Sequence, residues 1–315
     1  MNAIETHDLT RTFGDRTAVD HLNLTIPQGQ VFGFLGPNGA GKTTTVRMLA
    51  AIIAPTAGTA TVTGHTLSQD NSEIRRSVGI LTETPGLYDK LTAMQNLVFF
   101  AGLYEVPEQR ARQQAERYLK LMDLWERRDD KVGGFSKGMR QKLAVARALL
   151  HDPAVVFFDE PTAGLDPEAA RTVHDFIRNL RSEGRTIFLT THNLSEADAL
   201  CDLIGVFRTR LLTLGSPRQL RSRLFGTGTI VTVSDDADKW TGTVKLLPFV
   251  QQVTAQDGTL SVALDDPDTM NPLLVQALVA AGAQVRYVQP SSHSLEDVYM
   301  QLISDREQSH VTSGG

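Results

Sequence analysis

The strongest constraint in this sequence is an eight-residue stretch, Gly36-Pro37-Asn38-Gly39-Ala40-Gly41-Lys42-Thr43. An apolar run, Val31 to Leu35, leads into it. A segment with helical periodicity, Thr43 to Ile53, leads out. The stretch fits G-x-x-x-x-G-K-[ST]. Its glycines let consecutive backbone N–H groups turn inward without Cβ clashes, and the following helix adds its positive N-terminus. That arrangement cradles phosphate. Lys42 supplies a mobile charge for the outer phosphates, and the Thr43 hydroxyl can ligate Mg²⁺. The strand–loop–helix context points to an α/β domain with a nucleoside triphosphate on the loop. A G-x-G-x-x-G dinucleotide fingerprint is missing, which excludes a dehydrogenase.

Further strands are expected at Leu22 to Ile26, Thr59 to Val62, Val78 to Leu81, Val155 to Phe158 and Thr186 to Thr190. Arg171 to Ser182 is expected to be an amphipathic helix. Between the third and fourth of these strands the pattern is helical: Thr92 to Tyr104, Glu108 to Asp123 and Lys137 to Leu150. Alternating strands and helices imply a parallel sheet, with a helical subdomain inserted at about residues 84–150. After Gly215-Ser216-Pro217 the order becomes β-α-β-β-α-β, ending in a helix over Leu295 to Ile303, with Asp257-Gly258 as a hairpin turn. We therefore expect a first domain over 1–217, a small split βαβ-like α+β domain over 218–304, and a disordered tail over 305–315.

Two strand ends carry further chemistry. Val155 to Phe158 runs into Asp159-Glu160, where Asp159 can hold Mg²⁺, through water, and Glu160 can polarise an attacking water. Taken alone, such an end is equally a capped strand entering a turn at Pro161. Thr190-Thr191-His192 ends the next strand, so His192 points toward the ligand crevice of a parallel sheet. In isolation a single histidine is more often structural.

The 315 residues carry a net charge of −5, which provides no global basic field for nucleic acid. Cys201 is the only cysteine, which excludes an intrachain disulfide and a cysteine-rich metal site. It fits a reducing compartment. Met1 to Arg16 lacks the apolar core of a secretory signal. No apolar run approaches the roughly 18 residues of a membrane span.

Taken together and in order, these motifs resemble the ATP-binding-cassette (ABC) family over roughly Ile4 to Leu220. The resemblance implies a P-loop NTPase cassette whose Walker A is Gly36 to Thr43 and whose Walker B is Val155 to Asp159. Glu160 is then the catalytic base and His192 the switch histidine, with Lys42 on the phosphates. A signature loop falls at Phe135-Ser136-Lys137-Gly138-Met139 and a D-loop at Ala163-Gly164-Leu165-Asp166. Phe13 is placed to stack on adenine, with Val19 beside it and Thr44 following Thr43 on the phosphates. Glu83 stands at the family's usual glutamine, as a further contact to nucleotide or Mg²⁺. The implied assembly is a head-to-tail homodimer around two ATP molecules, in which Ser136 and Gly138 touch the γ-phosphate held by the other subunit's Lys42, and Asp166 of the D-loop is a further nucleotide contact. A separate membrane permease would carry the cargo, which places the chain in the cytoplasm, on the inner face of the cell membrane.

Three features depart from the common pattern. The signature is Phe-Ser-Lys-Gly-Met instead of Leu-Ser-Gly-Gly-Gln, Glu83 replaces glutamine, and Phe13 replaces the commoner tyrosine. Ser294-Leu295-Glu296-Asp297-Val298-Tyr299 resembles the terminal element of bacterial drug, lipid and polysaccharide export cassettes. These features imply an exporter ATPase. The alternatives are a soluble ABC ATPase acting on nucleic acid or ribosomes, and a module that holds ATP without turnover. The single cassette and lack of a basic tail argue against the first. The presence of Glu160, His192 and Asp166 argues against the second.

Overall fold

Five apolar residues in a row cannot alternate between core and solvent, so Val31–Leu35 must be covered on both faces. The computed structural model, which describes residues 1–82, 84–225, 227–291 and 295–300, places this strand near the middle of a six-stranded sheet. The chain divides into two compact units, Met1–Ser216 and Pro217–Gly315.

In chain order the first unit contains β1 (Asn2–Phe13), β2 (Arg16–Pro27), β3 (Val31–Leu35), α1 (Lys42–Leu49), β4 (Ala57–Val62), β5 (His65–Thr66), α2 (Asn71–Ser77) and β6 (Val78–Leu81). There follow α3 (Ala93–Leu103), α4 (Glu108–Leu121), α5 (Lys137–Arg147), β7 (Val155–Asp159), α6 (Pro167–Ser182), β8 (Thr186–Thr191), α7 (Leu194–Leu200), β9 (Leu203–Arg208) and β10 (Arg210–Gly215). The main sheet has the order β10-β9-β3-β8-β7-β6 and is parallel except for β10. A second, antiparallel sheet has the order β2-β1-β4-β5. Phe32, Phe34, Phe157, Phe188 and Phe207 meet in the core between them, with ring centroids 4.5 to 5.8 Å apart along the chain of contacts. The fold is thus a mixed α/β P-loop cassette, with α3 to α5 inserted between β6 and β7.

Several boundaries differ from the sequence expectation. The strand expected at Leu22–Ile26 runs from Arg16 and pairs with β1, which no periodicity announced because two consecutive exposed polar residues, His7 and Asp8, break its alternation. The helix expected to reach Ile53 ends at Leu49, with Ala50 as C-cap and Ala51 at φ +53. The helix expected from Arg171 starts four residues earlier, because Asp166 caps it by accepting from Ala169 N at 2.8 Å and Pro167 fits its first turn. Thr92 and Gln95 form a reciprocal capping box that opens α3.

The second unit contains α8 (Pro217–Phe225), β11 (Gly228–Val233), α9 (Asp238–Lys245), β12 (Val250–Gln256), β13 (Thr259–Leu264), α10 (Pro267–Ala280) and β14 (Val285–Pro290), and residues 295–300 are helical. Its antiparallel sheet has the order β12-β13-β11-β14, so β13 lies between the two strands of the β11-α9-β12 unit. That is the split βαβ arrangement. Val231, Val233, Leu260, Val262 and Leu264 alternate onto the face that packs α9 and α10. Helix α10 begins at Pro267 and holds Pro272 inside it, whereas its sequence signal starts at Asn271. The Asp266 side chain, accepting from the Thr269 hydroxyl at 2.6 Å, sets the earlier start. Ser294, and the tail expected to be disordered over 305–315, lie outside the described residues.

Cys201 is buried where α7 ends, directly under β3. A Cβ on Gly33 would lie 2.6 Å from its Sγ. Burial, and then the charges of Glu196, Asp202 and Asp198, push the thiol pKa far above its ordinary value. Native protein should therefore react with an aromatic disulfide reagent only as fast as it unfolds. Rapid stoichiometric labelling without denaturant would contradict this packing.

Candidate functional site

Parallel strands place their following loops at one sheet edge. The register Leu35↔Thr191 and Asp159↔Thr190 brings the ends of β3, β8 and β7 side by side. The Gly36–Thr43 loop, Asp159-Glu160 and His192 therefore converge, although Glu160 and His192 are 32 residues apart in sequence and the loop lies much farther from both.

The loop is tightly wound. Gly39 and Gly41 have φ +77 and +106, in the left-handed region. A Cβ at Gly36 would sit 2.1 Å from the Phe207 carbonyl oxygen, and one at Gly41 would sit 2.1 Å from that of Ala18. No side chain would fit at either place. Helix α1 starts at Lys42 with no side-chain cap and no acidic residue in its first turn, so its terminal N–H groups have no side-chain acceptor. The Lys42 side chain is buried, and its Nζ donates to the carbonyls of Gly36 at 2.6 Å and Pro37 at 3.4 Å.

A cleft of about 650 Å³ opens over this loop. Phe13, Pro37 to Thr44, Asp159 and Glu160 line it, together with Arg16 and Ala18. Phe13 is 47% exposed, and the Arg11 guanidinium lies 4.4 Å from its ring centroid. Val19, expected from the resemblance to contact the nucleotide, is instead fully buried in the core, because successive residues of β2 face opposite sides and Ala18 takes the cleft side.

Asp159 is 3% exposed, and its Oδ1 accepts from the Thr190 hydroxyl. Glu160 has φ +52, a conformation disfavoured for a residue with a side chain, and its N–H donates to Thr190 O and Oγ1. This turn aims the carboxylate into the cleft. Oε1 lies 3.4 Å from Lys42 Nζ, and Oε2 lies 2.8 Å from His192 Nδ1. His192 itself is 61% exposed.

The cradle fits a polyphosphate. Gly36 and Gly41 leave no room for a side chain, the helix terminus lacks a side-chain acceptor, and the buried lysine holds only backbone carbonyls and Glu160. Thr43 and Asp159 offer hard oxygen donors in the same cleft, the type Mg²⁺ takes. No cluster of three or more His, Cys, Asp or Glu suited to a metal occurs among the described residues. Phosphate oxygens and water would have to complete the shell. Glu83 lies outside the described residues.

Ser136, Gly138 and Asp166 are absent from the described lining of this cleft. They form a second group. Ser136 caps α5, accepting from Met139 N at 3.2 Å, and a Cβ on Gly138 would lie 3.9 Å from both Ser136 Oγ and Asp166 Oδ2. Gln141, one turn along α5, is buried and donates to Pro161 O at 2.9 Å, tying this helix to the turn after Glu160.

Four contributors were missed from sequence. Arg16 donates to Gly39 O at 3.3 Å, and Ala18 forms the cleft wall. Strand parity would have found Ala18 had β2 been extended to Arg16. Thr190 organises Asp159 and Glu160. Glu196 is buried behind His192; burial alone would raise its pKa, but hydrogen bonds with His174 and threonine hydroxyls outweigh this and hold it below the usual value. No sequence signal marks a buried glutamate on an otherwise ordinary helix.

The sequence matches the family model described as ABC transporter over residues 19–163, and that described as ATP-binding protein DrrA1-3-like, C-terminal domain, over residues 215–303. It is 36% identical over 296 residues to the Nod factor export ATP-binding protein I of Ralstonia nicotianae, covering 93% of this chain and 91% of that one. It is 36% identical over 306 residues to the daunorubicin resistance ATP-binding protein DrrA3 of Streptomyces coeruleorubidus, covering 96% of each. Among solved structures, the ATP-binding subunit of an ABC transporter superposes with a TM-score of 0.66 at 28% identity, covering 71% of this chain and 94% of that one.

Proposed function

The chain belongs to the ATP-binding proteins of ABC transporters, and from that premise we propose that it binds ATP with Mg²⁺ over Gly36 to Thr43, hydrolyses it with Glu160 as base, and drives export through a separate membrane permease. The observation that carries this reading is the position of Glu160. Its carboxylate stands between Lys42 and His192 at the mouth of a cleft built for phosphate.

ATP would lie with its phosphates on the N–H groups of the Gly36–Thr43 loop and its adenine against Phe13. Lys42 would leave the carbonyls of Gly36 and Pro37 for the outer phosphates. Glu160 accepts a proton from water as the water oxygen bonds to the γ-phosphorus and the bond to the bridging oxygen breaks, giving ADP and phosphate. His192 orients the Glu160 carboxylate and contacts the γ-phosphate. Thr43 and Asp159, the latter through water, would hold Mg²⁺, which neutralises charge on the phosphate oxygens.

Ser136, Gly138 and Asp166 have no part in this cleft within one chain. Their place is across a head-to-tail dimer, facing the γ-phosphate held by a second copy's loop, where the N-terminus of α5 favours an anion. The test is the protein-concentration dependence of turnover. Activity per chain should rise with concentration of the full-length protein and saturate as dimers form. Activity per chain that is constant down to concentrations at which the protein is monomeric would overturn the shared site.

No helix among the described residues is long and apolar enough to cross a membrane. The permease is assigned to the surface beside Pro85 to Tyr88. There Arg147 donates to the carbonyls of Pro85 and Gly86, and the exposed Tyr88 packs on Phe99 and Phe100, at 5.1 and 5.7 Å. An exposed aromatic cluster suits a protein partner. Relatives named for export and drug resistance support the outward direction. Cargo selectivity would reside in the permease.

A further inference from the structure

Glu196 is 2% exposed, yet it carries a carboxylate. Its Oε1 accepts from the Thr162 hydroxyl at 2.7 Å and lies 2.9 Å from His174 Nε2, on α6. Its Oε2 makes no hydrogen bond of ordinary geometry, although the Thr191 hydroxyl also helps to hold the carboxyl's pKa below its usual value. Its backbone N–H donates to Asn193 Oδ1 at 3.1 Å, and Asn193 N donates to Thr191 Oγ1 at 2.9 Å. An apolar residue of similar volume could fill the same space, so what distinguishes the carboxylate is the set of partners it holds.

Glu196 joins two segments that the catalytic site needs in register, one through its carboxylate and the other through its backbone N–H. One is the turn after the base, Glu160-Pro161-Thr162-Ala163-Gly164, closed by Ala163 N to Glu160 O at 3.2 Å and Leu165 N to Thr162 O at 3.1 Å, and leading to Asp166. The other is Thr191-His192-Asn193, which carries the switch histidine. The 2.8 Å contact between Glu160 and His192 lies between these segments, on an exposed histidine with little else to hold it.

Resting on the ATPase function proposed above, we propose that Glu196 and Thr162 are positioning residues: their buried hydrogen bond locks the turn after the catalytic base to the histidine segment, so that Glu160 and His192 move as one unit during hydrolysis. Neither residue touches the nucleotide. Their effect is on the chemical step, since a small misplacement of a base relative to its partner can lower the rate by up to about a hundredfold. Nucleotide affinity, set by the Gly36–Thr43 loop and Phe13, is untouched.

The test uses full-length protein and compares wild type, Thr162→Val and Thr162→Ser. Valine keeps the shape of threonine and removes the hydroxyl; serine keeps the hydroxyl. We expect Thr162→Val to lower kcat about tenfold or more, to leave the KM for ATP and the affinity for a fluorescent ATP analogue unchanged, and to lower the thermal midpoint by no more than the few degrees that one lost buried hydrogen bond costs. Thr162→Ser should restore most of kcat. In a Glu196→Leu background, Thr162→Val should have no additional effect on kcat, because the partner is already gone. Wild-type kcat in Thr162→Val, a loss carried by KM, or no rescue by serine would each overturn the proposal while leaving the ATPase assignment standing. A wild-type chain that releases no phosphate would overturn both.

Discussion

Glu160→Gln should lower ATP turnover by about 10²- to 10⁴-fold, the range supplied by a positioned general base, while ATP binding persists. Glutamine has nearly the shape of glutamate and can still accept from His192 Nδ1, but it cannot take a proton from water. It also removes the negative charge 3.4 Å from Lys42, so affinity for ATP should hold or rise. With hydrolysis blocked, the bound triphosphate should keep two chains together, and the variant should run as a dimer in ATP and as a monomer in ADP. Size-exclusion chromatography in each nucleotide, with phosphate release measured in parallel, checks both halves. Turnover within a few-fold of wild type would remove Glu160 as the base.

Lys42→Ala should weaken ATP binding by roughly ten- to a hundredfold, the equivalent of about 1.5–3 kcal/mol for a hydrogen bond to a charged group. The lysine is buried against backbone carbonyls of its own loop, so a phosphate replaces neutral acceptors with charged ones. The loss should follow the number of phosphates: large for ATP, smaller for ADP and slight for adenosine, whose contact is with Phe13. Titration of the three ligands by calorimetry gives the comparison. An equal loss for all three would mean that the substitution had damaged the cleft as a whole, and wild-type affinity for ATP would contradict the phosphate assignment.

The chemistry of the Gly36–Thr43 loop was legible because it is local. Eight consecutive residues contain the glycines that the turn requires, the lysine and the hydroxyl, and the flanking strand and helix are visible as changes in periodicity. Val155–Asp159 was legible for a related reason, since a short run of apolar residues covered on both faces has few places to go in an α/β fold. The first strand was not legible. Asn2–Phe13 carries polar residues along its open face, and its pairing with β2 depends on residues 16–27, whose extent no local pattern marks. The same gap produced the Val19 error, because the side of a strand that faces a cleft depends on where the strand starts and what it packs against.

By itself the sequence marked a glycine-rich loop of the kind that cradles phosphate, two strand ends carrying a carboxylate pair and a histidine, and a motif order that is that of an ABC cassette. Only the tertiary structure decided which of these groups meet. The 2.8 Å approach of Glu160 to His192 exists because β7 and β8 are parallel neighbours in register, with β3 next to them. The burial of Glu196 beside Thr162 and His174 likewise joins three elements far apart in the chain. Spacing along a chain reports local backbone geometry. Contact between strand ends depends on long-range pairing, whose register is set by the packing of a whole core, with Phe32, Phe34, Phe157 and Phe188 at its centre.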